Sequence, residues 1–523
     1  MIKRGFMMLV LALVALSVVA QDITLLFDND VHCAIDGYAK VAALRRETPK
    51  EFTVMISAGD FLNGEAIGTI DKGEKIIDIM NAVKYDIVVP GNHEFDYGVD
   101  ILNERLGALD AKALCLNFKR NGKNLLSAST IREYGGRRIA FVGATTPTLI
   151  QSSTPSFFMD STKQFIYNFG GKDFISMVQE KVDDIRREGV DYIVLIAHIG
   201  TEPDQFGIST PKLLQQTTGI DIVIDGHSHD EMIKRLPNKN GEEVLVMQTG
   251  TRFQNVGRLI IAEDGTFKPE LIKLADLKKV DQPTLELIAN AKKDLQKELS
   301  RKIGMSRVTL QARDSQGNLI IRATETNLGD FVADAICRVA KADCGFINSG
   351  NLRNDIENGN VTYGQWNTCA PYNNQILVAE CTGAQLLDIL EYSVAFLPGD
   401  AGSFQQVSGI EFIVDTKIPS PAKYGLDGFV SGIDGKRRIV SAKVWNKDKG
   451  RYEKVDPQGI YRIATTDYAL MNMGCGNMFK DCIIVSEKPV GTVSEVVERY
   501  IKKNLNGTIG EEYRKVQNRI KTL

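Results

Sequence analysis

Histidine is scarce in this chain, five residues in 523, and none of the five stands apart from a polar cluster. No Cys-x-x-Cys pair occurs among the eight cysteines at 33, 115, 337, 344, 369, 381, 475 and 482. That absence argues against a structural zinc site or a thioredoxin-like redox motif. Basic tracts are lacking too: 63 Lys and Arg stand against 66 Asp and Glu, a net charge of −3. A chain so balanced has no patch of the kind that binds nucleic-acid polymers, so DNA and RNA strands are set aside as partners. Beyond residue 20 no apolar run is long enough to cross a bilayer. Low-complexity tracts and short internal repeats are also missing.

What the chain does have begins with residues 1–20. Lys3 and Arg4 precede an apolar run from Phe6 to Val19, and Val18-x-Ala20 puts small residues before Gln21. This is the pattern of an export signal, with the mature chain starting near Gln21 and a periplasmic or extracellular location implied. The alternative, a retained membrane anchor, is disfavoured because the run is short for a spanning helix. No cysteine stands at the cleavage point to carry a lipid. In an oxidising compartment the eight cysteines are compatible with disulfides, although their spacing does not reveal a pairing. Cys33, beside His32, reads as packing rather than as a ligand.

A length of 523 residues with 43% hydrophobic content implies two domains. From Gln21 to about Lys278, β-rich runs at Ile23 to Phe27, Thr53 to Ile56, Ile87 to Val89, Ile139 to Val142, Tyr192 to Ala197, Ile220 to Ile224 and Val244 to Met247 alternate with helical stretches. The helical stretches include Tyr38 to Arg46, Lys72 to Val83 and Phe174 to Glu188. The alternation predicts a mixed α/β fold. A charged stretch with apolar residues at helical spacing, Gln282 to Lys302, reads as a joining helix. The expected boundaries are therefore 1–20 for the signal, 21–278 for the first domain, 279–303 for the linker and 304–523 for the second domain.

The histidines fall in Asp30-Val31-His32, Asn92-His93-Glu94, Ala197-His198 and Gly226-His227-Ser228-His229, each close behind a strand candidate, and Gly59-Asp60 follows another. Ligands in α/β sheets gather at the carboxyl ends of strands, so these scattered residues can converge. Carboxylate, amide and imidazole groups suit divalent ions, and two ions about 3.5 to 4 Å apart clamp both oxygens of a phosphoryl displacement. Two such cations repel strongly and need an anionic bridge, for which Asp60 is the best placed. A lone histidine after a strand is ordinarily a core or surface residue. The joint occurrence of all these motifs in this order outweighs that reading.

These motifs resemble the calcineurin-like metallophosphoesterases and, more narrowly, the exported 5'-nucleotidase family, which includes UDP-sugar hydrolases and 2',3'-cyclic phosphodiesterases. Gly91-Asn92-His93-Glu94-Phe95-Asp96-Tyr97-Gly98 is similar to that family's central motif, and Glu325-Thr326-Asn327-Leu328-Gly329-Asp330 to the opening of its second domain. The resemblance implies a four-layer sandwich followed by a second α/β, substrate-binding domain joined by a helix. It implies one ion held by Asp30, His32, Asp60 and His229, and another by Asp60, Asn92, His198 and His227. Zinc or manganese fits that donor set best, with iron or cobalt as alternatives. It also gives His93 and Asp96 catalytic roles, with a water activated by the ions as nucleophile. A helix cap is the alternative role for Asp96.

For substrate binding, Asn348-Ser349-Gly350-Asn351-Leu352-Arg353 resembles the family's phosphate loop, which implies roles for Asn348, Gly350 and Arg353; a surface arginine on a tight turn is the alternative. Phe404 and Tyr468 lie in segments similar to those that sandwich a base, although each ring alone reads as core. Two departures bear on the substrate. Pro371-Tyr372-Asn373-Asn374 keeps the asparagine of a family motif, Asn374, but no Lys or Arg follows from Gln375 to Cys381. Asn477, in Cys475-Gly476-Asn477-Met478-Phe479, stands where the family has an aspartate for ribose or base. The expected activity is removal of phosphate from small-molecule nucleotides, with nucleoside 5'-monophosphates foremost. The alternatives are UDP-sugar or 2',3'-cyclic nucleotide hydrolysis or, outside enzymes, an extracellular nucleotide-binding or adhesion module. Nothing in the sequence speaks to oligomeric state.

Overall fold

Two stacked six-stranded sheets carry the first half of the molecule in this computed structural model, which describes residues 21–160, 164–372, 374–425, 429–472 and 474–523. Residues 1–20, expected to be an export signal, lie outside the described residues. The chain divides into two compact units, one ending at Ser153 and resuming over Ile166–Ala289, the other formed by Thr154–Phe165 and Asn290–Leu523. The division falls inside the joining helix, and the linear boundaries at 278 and 304 do not anticipate that Thr154–Phe165 groups with the second unit.

In the first unit, β1 (Ile23–Asp28), β2 (Thr53–Ser57), β3 (Ile87–Val88) and β4 (Lys112–Ala113) run parallel. The second sheet is built on β5 (Ser129–Tyr134), β6 (Arg137–Thr145), β7 (Tyr192–His198), β8 (Ile222–Ile224), β9 (Glu231–Pro237) and β10 (Glu243–Thr249), in the order β9-β10-β8-β7-β6-β5. β11 (Asn255–Ile261) and β12 (Phe267–Lys273) complete the first sheet as β12-β11-β1-β2-β3-β4, with β11 and β12 antiparallel to their neighbours. Every strand expected from the apolar runs is present. The ones in these two sheets that reading missed, β4, β5, β9, β11 and β12, sit at or next to sheet edges, where apolar runs are shorter or broken.

Side-chain alternation explains the layering. Leu25 and Phe27 of β1 join Val54, Ile56, Val194, Ile196, Ile222 and Ile224 in a core between the sheets. The opposite face of the second sheet, Ala140, Val142, Ile193 and Leu195, packs on α3 (Phe174–Arg187), while α1 (Tyr38–Glu47) and α2 (Glu74–Val83) also bury apolar faces. In α2 these are Ile76, Ile79, Met80 and Val83, at helical spacing. That helix begins at Glu74 rather than Lys72, because Lys72 and Gly73 both have positive φ and end a preceding short helix.

The joining helix α4 (Gln282–Ser300) is tied at each end. Asp281 accepts from the Thr284 backbone and hydroxyl, at 3.1 and 2.7 Å, and pairs with Arg46 at 2.7 Å. At the far end Arg301 pairs with Glu498 at 2.7 Å. The second unit centres on α5 (Asn327–Ala340), capped by the Thr326 hydroxyl. Its main sheet has the order β15-β13-β16-β14-β17, made of β13 (Cys344–Asn348), β14 (Gln375–Thr382), β15 (Gln405–Ser408), β16 (Ile460–Thr466) and β17 (Ile483–Ile484).

Candidate functional site

Strand register brings the expected ligands together. Asp28 lies opposite Ser57, and Ser57 opposite Val88, so β1, β2 and β3 end level and their following loops emerge side by side. Those loops carry Asp30 and His32, Asp60, and Asn92. In the facing sheet, His198 ends β7, and β8, paired Ile196 to Ile224, leads into His227 and His229. His198 Nε2 stands 3.1 Å from Asp60 Oδ2, His229 Nε2 3.3 Å from Asp30 Oδ1, and His32 Nε2 3.8 and 3.9 Å from Asp30 and Asp60. Asp30 with His32 and His229, and Asp60 with His198 and His227, form two groups whose donor atoms lie within 4.8 Å of one another. A third such group joins His32, Asp60 and His93.

The residues present fit divalent ions. Asp30 Oδ1, Asn92 Oδ1 and His198 Nε2 are buried without a hydrogen-bond partner, although buried polar atoms are nearly always paired. Divalent cations held in the two groups would satisfy them, Asp30 in one and Asn92 and His198 in the other. Burial works against ionisation of Asp60 and His198 alike, yet each charge overrides it for the other: Asp60 is held far below the usual carboxylate range and His198 is pushed up to about 10. The Asp60 and Asp30 carboxylates thus favour positive charge beside them, as the raised His198 shows. Five of the seven expected ligands, Asp30, His32, Asp60, His227 and His229, adopt φ between 46° and 77°, a backbone region uncommon for non-glycine residues and in which Asp and His are enriched. Close packing rests on glycine: a Cβ at Gly91 would sit 2.3 Å from Asp60 Oδ1 and 2.7 Å from His198 Nε2.

His93 is arranged differently. Its Nδ1 donates to Asp96 Oδ2 at 2.6 Å, and its backbone N–H donates to Asp60 Oδ1 at 2.9 Å. Asn63 donates to the same Asp96 oxygen and accepts from the Tyr97 hydroxyl, so the carboxylate is fixed in place. Burial disfavours the imidazolium, but the Asp96 hydrogen bond and the Asp60 charge outweigh it and raise the ring to about 9. Asp96 is the C-terminal flank of a short 3-10 turn, His93–Phe95, so helix N-capping is not its role. Cys33 is buried, with Sγ 3.5 Å from the Phe61 carbonyl, and burial pushes its thiol up to about 12, which agrees with packing. All eight cysteines are buried, with no disulfide among the described residues.

In the second unit a cavity of about 380 Å³ is lined by Asn348, Gly350, Arg353, Asn374 and Tyr468, as expected, and also by Arg322, Asn351, Tyr372 and Gly402. Four buried polar atoms of its lining residues lack partners: Asn348 Oδ1, Asn351 Oδ1, Arg322 Nε and Arg353 Nε. Arg353 reaches the Tyr372 hydroxyl at 2.7 Å, with its guanidinium 5.5 Å from the ring centre. Two expectations need correction. Phe404 is 0% exposed and packs in the core with Phe346, Met478 and Phe479, so its ring offers no free face; Tyr468 and Tyr372, 41% and 45% exposed, are the aromatic groups at the cavity. Asn477, in a left-handed turn, is not among the lining residues. The apolar character that makes Phe404 a base-stacking candidate is the same character that buries it. Arg322 carried no sequence signal, since its place in the cavity arises only from tertiary packing.

Comparison with known proteins accords with this geometry. The calcineurin-like phosphoesterase family model matches residues 23–231, and the 5'-nucleotidase C-terminal domain model matches residues 302–481. A trifunctional nucleotide phosphoesterase of Bacillus subtilis is 27% identical over 463 residues, covering 76% of this chain and 30% of that protein. A probable 5'-nucleotidase of Treponema pallidum is 25% identical over 521 residues, covering 84% of this chain and 81% of that one. Among solved structures, a putative 5'-nucleotidase from Staphylococcus aureus shares the fold at 19% identity with a TM-score of 0.61, covering 96% of this chain and 100% of its own. Among the described residues no helix is long and apolar enough to cross a membrane. The chain therefore belongs to the 5'-nucleotidase family of calcineurin-like phosphoesterases, metal-dependent hydrolases of phosphoesters.

Proposed function

We propose that this protein is an exported, dinuclear phosphohydrolase that removes phosphate from nucleotides, with nucleoside 5'-monophosphates as its main substrates. The single observation that carries the reading is the convergence of Asp30, His32, Asp60, Asn92, His198, His227 and His229 around three buried polar atoms without partners. Asp30, His32, Asp60 and His229 would hold one ion and Asp60, Asn92, His198 and His227 the other, with Asp60 shared. When bound, such ions supply Lewis acidity towards water and phosphoryl oxygens. His93 has Nδ1 engaged by Asp96, which leaves Nε2 to carry a proton towards a phosphoryl oxygen. An imidazolium so placed stabilises charge as it develops, and Asp96 keeps the ring oriented and charged.

Recognition falls to the cavity of the second unit. Arg353 offers a forked cation for phosphate, Tyr468 and Tyr372 offer ring faces for a base, and Asn348 and Asn374 offer amides. The presence of a second guanidinium, Arg322, in the same cavity favours one further reading, a nucleotide with an additional phosphate such as a UDP-sugar. Export rests on the charge and apolar pattern of residues 3–20. Phosphate release from AMP, UMP, ATP, UDP-glucose and 2',3'-cyclic AMP, coupled to a phosphatase where the product is itself a phosphoester, separates these substrates. Protein that binds two metals per chain yet releases phosphate from none of them overturns the proposal.

A further inference from the structure

Glu94 and Asp225 are wholly buried carboxylates of the first unit that take no part in the ligand sets above. Each joins a pair of ligand-bearing loops. Glu94 Oε2 accepts from the backbone N–H groups of Asp60 and Gly91, both at 2.7 Å, and Oε1 from those of Phe61 and Leu62, at 2.7 and 2.9 Å. It thereby binds the loop that carries Asp60 to the loop that carries Asn92. Asp225 Oδ1 accepts from the backbone of Ile199, Gly200 and Gly226, at 3.0, 3.3 and 2.9 Å. Its Oδ2 accepts from the Thr210 hydroxyl at 2.6 Å and the Gln248 amide at 3.2 Å. It binds the loop after His198 to the loop that carries His227.

The clamped loops also reach the other position, through the shared Asp60 and through His229, but only one position has all four of its groups on clamped loops. Asp60, Asn92, His198 and His227 are the four groups assigned to one ion, and both carboxylates serve loops that carry them. The His198 ring is fixed further, since its Nδ1 donates to the Ala58 carbonyl at 2.7 Å and turns Nε2 towards Asp60. At the other position the carboxylate that joins the loop of His32 to the loop of His229 is Asp30, which accepts from the His227 backbone at 2.9 Å and is itself an assigned ligand. The His32 ring is held at 3.1 Å by the Asn63 carbonyl. The His229 side chain is 44% exposed, and its short polar contacts are to His32 and Asp30, themselves assigned ligands.

We propose that the two ion positions are unequal: Glu94 and Asp225 pre-set the position of Asp60, Asn92, His198 and His227, which retains its ion, while the position of Asp30, His32, Asp60 and His229 exchanges its ion readily. This rests on the ligand assignment of the proposed function. The physical reason is that ligands already fixed need no ordering when the ion arrives, whereas an exposed imidazole must be immobilised at that moment. Glu94 and Asp225 are positioning residues.

The test is zinc content per chain, read by elemental analysis of the full-length mature protein after dialysis against graded chelator. Wild type is expected to lose zinc in two steps, one ion leaving at a chelator concentration at least about tenfold below the other. His229→Asn, at an exposed position, should advance the first step alone. Glu94→Gln and Asp225→Asn should advance the second step by roughly 10- to 100-fold, the usual range for partners of metal ligands. Loss of both ions from wild type in one step overturns the inference, as does a second step unmoved in variants whose circular dichroism and melting match wild type. If those two variants do not fold, the wild-type and His229→Asn curves decide. Single-step loss with nucleotide hydrolysis intact refutes the asymmetry alone, whereas failure to bind zinc refutes the ligand assignment beneath it.

Discussion

Replacing one aromatic residue at a time in the second unit separates the rings that meet a base from those that hold the core. Tyr468 and Tyr372 line the cavity with exposed rings, and Tyr468 lies close over Gly474, where an added Cβ would come within 2.5 Å of the ring. Base stacking contributes roughly 1 to 3 kcal/mol, so Tyr468→Ala should raise KM for AMP by about 5- to 150-fold. Hydrolysis of p-nitrophenyl phosphate, which has no base, should hardly change. Phe404→Ala should behave in the opposite way. The ring is fully buried, and its removal should cost about 3 to 5 kcal/mol of stability through lost contacts and a cavity. That corresponds to a fall in melting temperature on the order of 10 °C for a unit of this size. Steady-state kinetics with both substrates, together with thermal unfolding, measure the two effects. If Phe404→Ala raised the AMP KM at unchanged melting temperature while Tyr468→Ala did neither, Phe404 would be the stacking ring and Tyr468 a bystander, which would refute both placements.

His93→Ala should leave metal content near that of wild type and lower kcat by about 100-fold or more, the scale of a lost electrostatic partner; loss of metal would make His93 a ligand, which its grouping with His32 and Asp60 also permits. Gly91→Ala pushes a methyl into Asp60 and His198, so metal content should fall and activity should drop by about 100-fold, as expected when ligands shift by about an ångström. Normal zinc binding by that variant would refute the close packing. Asp467 is raised from 3.8 to about 6 by burial, partly offset by N–H groups of Tyr468 and Gln375. The folded chain thus holds this proton more tightly than the unfolded one, so the contribution of Asp467 to stability is full below about pH 4 and is lost as pH rises to about 6, by about 3 kcal/mol. Asp467→Asn should abolish that part of the slope in urea titrations at pH 4 and pH 7, and an unchanged slope would point to another group.

The catalytic half was more legible in the sequence than the recognition half, for a physical reason. Strand ends are local features: Ile23 to Phe27 or Tyr192 to Ala197 read as strands from apolar runs alone, and a His or Asp just beyond such a run already has a place in space. Glu94 lies inside one of the motifs and Asp225 directly before another, but their work lies in accepting backbone N–H groups from distant loops, which no side-chain pattern reports. In the second unit the loop Asn348 to Arg353 reached the cavity as its motif suggested. Phe404 did not, because the side of a sheet on which a ring falls depends on packing against Phe346 and Phe479, which are far from it in sequence. Tyr372 lies in the segment singled out for Asn374, whereas Arg322 enters from a segment that carries no pattern of its own for ligand contact.

The left-handed backbone at Asp30, His32, Asp60, His227 and His229 makes the environment a participant in mutational tolerance. Each such residue is held at a cost of order 1 kcal/mol or more, and two carboxylates share the same enclosed space. Ion binding offsets that cost by mass action, and more so as the free ion concentration rises. A mildly destabilising substitution elsewhere in the first unit is then silent where the divalent ion is plentiful and damaging where it is scarce. Variation in this chain is therefore filtered by metal supply, even at positions far from the ions.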